Sequence, residues 1–535
     1  MQKQIPLLIF ILSISHISLS QTPFIKQWDN TFGGNTADEL SIIKQTSDGG
    51  FILAGYSYSG ISGNKTAPSN GSADYWIVRT NPVGTKLWDK SFGGSGNDQL
   101  FSIALTSENG FLLAGHSTSP ISGDKSQPSQ GGADFWIIKT DSAGNKIWDK
   151  TFGGNDNDNL QSIQITSNGD YILAGSSYSN VSGDKSQPSK GMSDYWIIKI
   201  DSAGNKIWDK DFGGNDLEIL YSVKETPQHG FILAGQSWSG INGDKSQSNW
   251  GFGDYWVVKI DSSGNKIWDK DFGTTDIDEC FDVEISGNDF LIGGHASQGT
   301  TGNKTSPGWG GTDYWILKID SAGTKLWDKT YGGTDFDEFN FLVNAPGNNF
   351  LLCGMSYSPV SGEKTEGVLG LEQAWILKID SSGYILWDKT AFTNGHDELS
   401  CAVQNSEACY VFGVMTNSGF GGDKTHNNWD PSIQTDDYWL IQYCDTSFTS
   451  SFFQLPNINL DFLIQPNPAK DFIQITFHAS QNNFEIEILN SLGKTILKTN
   501  NKDNIDISLF SNGIYLLKLK TERKDYVYKF IKASP

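Results

Sequence analysis

Four short apolar runs recur along this chain in a fixed order. Within one unit they read NLQSIQITS, DYILAGSS, DYWIIKID and NKIWDKDFG, between Asn159 and Gly213. The second and third are almost continuously apolar, as strands buried on both faces must be. The first and fourth alternate apolar with polar positions, the mark of half-buried strands. Asn-Gly, Asp-Gly and Ala-Gly between the runs are hairpin turns. No run approaches the roughly 20 apolar residues a membrane helix requires.

The unit repeats. The fourth-run tryptophans Trp28, Trp88, Trp148, Trp208, Trp268, Trp327 and Trp387 stand 60 residues apart, with one step of 59. Such a period outranks any local reading. Four antiparallel strands repeated seven times predict an all-β, seven-bladed β-propeller. The last third run, DYWLIQY, has no WDK strand after it, whereas FIKQWDN opens the mature chain at Phe24. The N-terminal strand is therefore expected to complete blade seven and close the ring, which removes exposed edges.

Composition refines this. Glycine is abundant and aromatics reach 13%, as many short strands and tight turns demand. A net charge of −22 disfavours nucleic acid and anionic membranes as partners. Residues 1–20 combine Lys3, an apolar run from Ile5 and small residues before Gln21, which predicts a signal peptide cleaved after Ser20. The organisation expected is signal peptide 1–20, propeller 21–446, linker 447–460 and a small C-terminal β-sandwich 461–535. That tail carries roughly +2, ten Lys and Arg against eight Asp and Glu, opposite in sign to the rest. Of five cysteines, most lie in apolar runs and read as buried thiols. One bridge among Cys401, Cys409 and Cys444 is compatible with the sequence but is not assigned by it.

The repeated motifs, Gly153-Gly154, Asp158, Tyr171 to Gly175 and Asp194 to Lys199, resemble a bacterial seven-bladed β-propeller repeat family. The turn and tryptophan also look like the docking motif of quinone-dependent dehydrogenase propellers. Asp201 and Trp208 are one residue too close for it, and seven blades rather than eight argue against quinone chemistry. The tail resembles the type A sorting domain of type IX secretion, through Pro466-Asn467-Pro468-Ala469 with Asp471, Asn490 to Gly493, Asp506 to Ser508, Gly513-Ile514-Tyr515 and Lys529 to Lys532. The resemblance implies recognition by the type IX secretion machinery, removal of the tail, and release or attachment at the cell surface.

Sevenfold residues are read as scaffold. Fourteen of eighteen tryptophans form two sevenfold sets, each ring removing roughly 150–250 Å² from water, at most about 4–6 kcal/mol. Two acidic rings also recur: Asp38, Asp98, Asp158, Glu218, Asp278, Asp337 and Asp397, then Asp74, Asp134, Asp194, Asp254, Asp313 and Asp437, with Gln373 in blade six. They could hold Ca²⁺, but no loop has a calcium cage spacing, and acceptance of local backbone N–H groups is the simpler reading. No cofactor is implied. The Gly-Asp-Lys loops are read as turns, since no helix follows them.

Function is sought where the repeats differ. Trp238, Trp250, Trp309 and Trp429 fall outside both sets, in the long loops of blades four, five and seven. Aromatic rings beside Asp, Asn and Gln suit sugar rings, which stack by their apolar faces. The alternative is that these rings pack the loops onto the blades. No GxSxG, HExxH or ligand spacing of histidines occurs. The expectation is a secreted or cell-surface binding protein for glycan or protein. A polysaccharide-degrading hydrolase or lyase, or a structural surface component, are the alternatives.

Overall fold

The computed structural model describes residues 24–405, 409–430, 432, 435–445, 462–465, 470–477, 484–490, 494–510, 513–521 and 525–532. The expected signal peptide and linker lie outside them. Every element of the described residues is a β-strand. The chain separates into two compact units, Met1–Phe448 and Thr449–Pro535.

The first unit is a seven-bladed propeller. Blade three shows the plan: Asp158–Ile165 innermost, then Tyr171–Ser177, Asp194–Ile200 and Lys206–Phe212 outermost, all antiparallel. The two middle strands are buried along nearly their whole length, and the outer strand alternates. At the outer hairpin, Asp201 accepts the backbone N–H groups of Ala203 and Asn205 at 2.9 and 2.8 Å, and Gly204 takes φ +84°. That left-handed conformation suits glycine.

Blades join through aromatic pairs. The Tyr75 ring lies 4.8 Å from that of Trp136 in the next blade, and its hydroxyl donates to the Trp136 carbonyl at 2.9 Å. Tyr195–Trp256, Tyr255–Trp315 and Tyr314–Trp375 repeat the contact. The seam between last and first blades uses the same device, with Tyr438 4.7 Å from Trp76. Blade seven comprises Asp397–Gln404, Cys409–Thr416, Asp437–Asp445 and the N-terminal strand Phe24–Phe32, which pairs Phe32 with Tyr438 and Phe24 with Asp445. The ring is closed by its own N-terminus. Cys409 and Cys444, paired across neighbouring strands of this blade, form a disulfide, while Cys280, Cys353 and Cys401 are buried thiols.

The second unit is a small sandwich. One sheet holds Phe462–Gln465, Phe472–Phe477 and Asn504–Asp506, and the other Thr495–Asn500, Phe484–Asn490, Gly513–Thr521 and Asp525–Lys532. Ile473, Ile475, Ile486, Ile488, Ile505, Leu517 and Leu519 form its core.

Candidate functional site

The WDK motif is a hydrogen-bonded frame. In every blade its aspartate accepts the indole N–H of the third-strand tryptophan, from Trp76 to Asp89 through Trp439 to Asp29, at 3.1–3.2 Å. The same carboxylates accept a backbone N–H from the long loop, as Thr66, Ser126 and Thr425 illustrate. Those seven indoles are fully buried. The WDK tryptophans themselves lean on the following blade, Trp28 on Phe51, Trp88 on Phe111 and Trp208 on Phe231.

The acidic rings are backbone acceptors. Asp38 takes the Gly34 N–H at 2.7 Å, Asp98 that of Gly94, and Asp158 that of Gly154. Asp74, Asp313 and Asp437 of the second ring take the N–H groups of Asn70, Trp309 and Trp429. The turn read at Gly-Asp-Lys is present, with Gly63, Gly123 and Gly183 at φ +54° to +56°. Its lysine does what the sequence did not announce. Lys65, Lys125, Lys185, Lys245, Lys304, Lys364 and Lys424 are all buried, turned inward between the acidic rings. Lys185 and Lys245 pair with Asp211 and Asp271.

The loop tryptophans divide into two kinds. Trp250, Trp309 and Trp429 occupy one equivalent position, the residue whose N–H reaches the second-ring aspartate. Asn70, Gln130 and Lys190 stand there in blades one to three and reach Asp124, Asp184 and Asp244 of the next blade. At this position Trp309 stands beside Gly362, and Trp429 beside Gly63, of the next blade's loop. These two rings are thus backed by glycine, and 51%, 52% and 44% of Trp250, Trp309 and Trp429 remain exposed. Trp238 is half-buried elsewhere, against Gly253. Among the described residues no ring contact joins any two of the four.

The central channel is a second concave feature, a cavity of about 580 Å³ lined by the first strands of all seven blades. Toward the long loops it carries Tyr56, Phe101, Tyr221 and Phe281 with Glu39 and Glu398. Burial, with Asp436 and Glu398 adding repulsion, pushes Glu39 up to about 7. Deeper in, Asp282 accepts from the Ser222 hydroxyl at 2.6 Å and the Leu342 N–H at 3.0 Å. Sequence reasoning missed this lining. Its signal was present: positions 39, 41 and 56 of the unit vary from blade to blade, while position 38 stays acidic in all seven.

Residues 463–533 match the family described as a secretion system C-terminal sorting domain. The tail is a secretion sorting domain. The protein is therefore exported to the cell surface or released, as type IX secretion cargo, and no helix of the described residues is long and apolar enough to cross a membrane. Regulatory protein FlaEY of Caulobacter vibrioides is 23% identical over 263 residues, 46% of this chain and 26% of that protein. The match spans about a quarter of that relative's length. Among solved structures, PorZ, described as an essential surface component of the type-IX secretion system of Porphyromonas gingivalis, aligns with a TM-score of 0.38 and 10% identity, covering 94% of this chain and 60% of that one. Kuenenia stuttgartiensis hydrazine synthase aligns at 0.36 and 12%, covering 65% and 78%, and Synechocystis apocarotenoid oxygenase at 0.37 and 12%, covering 74% and 88%.

Proposed function

We propose that this protein is a binding module of the cell exterior, belonging to the repeat family its motifs resemble, and that its long-loop face takes a glycan. The carrying observation is the indole at one repeated position in blades four, five and seven, half exposed where blades one to three use polar clasps. A flat apolar ring edged by amide and carboxylate groups is what a pyranose needs for stacking with hydrogen bonds at its rim. The test is a glycan array probed with the mature chain and with Trp250→Ala and Trp309→Ala. Loss of about tenfold or more in affinity, roughly 1.4 kcal/mol, is expected for each on any glycan bound. Binding unchanged in both variants defeats the aromatic-site reading and leaves a protein ligand or a purely structural role. A protein ligand is supported by Ile61, Ile121, Val181, Ile241, Val360 and Phe420, exposed at equivalent loop tips of six blades.

A second reading rests on Glu39. A channel-mouth carboxyl near 7 has the protonation a general acid requires, so a polysaccharide hydrolase follows if products appear. Activity abolished by Glu39→Gln would support it, and an absence of products from polysaccharides that bind would remove it.

A further inference from the structure

Neighbouring blades meet across buried acids. In the second ring, Asp74, Asp134, Asp194, Asp254, Asp313 and Asp437 are fully buried. One oxygen of each accepts a backbone N–H, and the other, Oδ1, has no donor. Each faces the first-ring carboxyl of the next blade. A Cβ on Gly332 would stand 1.8 Å from Asp313 Oδ1 and 2.9 Å from Asp337 Oδ2, so these oxygens lie within about 5 Å of each other.

One junction differs. Between blades six and seven the second-ring position is Gln373, whose Nε2 donates to Asp397 Oδ2 at 2.9 Å while its Oε1 accepts the Thr393 N–H at 3.0 Å. An amide is a permanent counterpart of a protonated carboxyl, one acceptor and one donor on a planar group. It supplies a donor to its facing carboxylate, whereas Asp38, Asp98, Asp158 and Asp337 each keep one oxygen without a donor. Charge leads to the same place. Even before Asp211 and Asp271 are counted, the two rings hold six carboxyls more than there are buried loop lysines. An unmatched buried charge costs several kcal/mol.

We propose that four of the second-ring aspartates, Asp74, Asp134, Asp313 and Asp437, stand as neutral carboxylic acids in the folded propeller, each donating its hydroxyl to a facing carboxylate, so that the closed ring binds protons its unfolded chain does not. Burial, augmented by Asp38, pushes Asp437 up to about 8; burial with Asp158 pushes Asp134 to about 7, and burial with Asp337 pushes Asp313 to about 6. Asp74 and Asp254 are raised as well, chiefly by burial. The other charged groups facing these acids are the loop lysines of their own blades, Asp211 and Asp271 in blades three and four, Asp184 at Asp134, Glu363 at Asp313 and Asp430 at Asp437. The lysines oppose the shift, Asp184 and Asp430 reinforce it, and the Asp271 hydrogen bond lowers Asp254.

The folded values lie above the unfolded one near 3.8, so this stability is complete below the unfolded value and is lost as pH rises through about 6 to 8. The experiment is thermal unfolding of the full chain against pH, with Asp437→Asn and Gln373→Glu. The parent is expected to lose melting temperature between about pH 5 and about pH 9. Asp437→Asn, a fixed neutral analogue, should be no less stable than the parent at the lower pH and exceed it by more at the higher. Gln373→Glu should steepen the parent's decline. A flat parent profile, or Asp437→Asn less stable than the parent at both pH values, overturns the proposal. If Asp437→Asn does not fold, Gln373→Glu decides: an unchanged slope overturns it and a steeper one upholds it.

Discussion

Asp89 collects five donors: the Trp76 indole, the Thr66 and Ala67 backbone N–H groups, the Thr66 hydroxyl and the Lys86 ammonium. Burial alone would raise its pKa, but these bonds outweigh it and hold the carboxyl down to about 2. The folded value is below the unfolded one, so Asp89 stabilises the blade above about pH 4, and that contribution disappears as pH falls toward 2. Asp89→Asn keeps the shape and removes the charge. It should cost about 1–3 kcal/mol at neutral pH and flatten the acid limb of a stability–pH profile, measured by urea unfolding. A variant whose acid limb retains the parent's slope would show that other blades carry it. The scaffold role of Trp88 was legible in the sequence, because a side chain needed seven times is needed for packing. The role of Lys65 was not. A lysine in a polar Gly-Asn-Lys loop reads as solvated, and its acidic surroundings, Asp38, Asp74 and Asp89, come from three different strands.

The step from one blade to the next is made by two glycines, and each is there for space. A Cβ on Gly213 would stand 2.1 Å from Asp194 Oδ1, and one on Gly214 would meet Ser239 at 2.3 Å. Asp194 cannot retreat, because its other oxygen holds the Lys190 N–H at 2.6 Å. Blade six supports this account for the first glycine: where Gln373 replaces the acid, Phe392 takes that glycine's place. Gly213→Ala should therefore destabilise by about 1–3 kcal/mol through overpacking. Gly60→Ala, with nothing within 4 Å of its Cβ, should stay within about 0.5 kcal/mol. Equal melting temperatures for the two variants would refute the steric reading. Strand positions and blade count followed from periodicity, since alternation and continuous apolar runs report burial directly. The pairing of Asp194 with Glu218 did not, because its members lie 24 residues apart on different blades and each alone resembles a turn acceptor. For the same reason the channel lining went unread while the loop tryptophans stood out: an indole is rare enough to notice, whereas Glu39 is one glutamate among many.

Closure belongs to the whole ring. Phe24–Phe32 is held to Asp437–Asp445 over its full length, and Asp29 supplies the frame carboxylate for Trp439 and Thr425. Without that strand, blade seven would expose the unpaired edge of Asp437–Asp445, and the buried Trp439 indole would lose its acceptor. Blade one would then meet an incomplete neighbour across Tyr438 and Trp76. The defect acts on both sides of the seam, so its cost should exceed the roughly 1 kcal/mol typical of one substitution. A chain lacking residues 24–32 is expected to lose its single sharp thermal transition and to associate through the open edge, seen as higher-order species on size exclusion. A synthetic peptide of residues 24–32 should restore both the transition and the monomeric elution by refilling the fourth strand. If the shortened chain stays monomeric and melts with the parent, the ring does not depend on its N-terminal strand. The stability would then reside in blade-to-blade packing alone, with the aromatic pairs and the buried acids sufficient to hold seven blades in a circle.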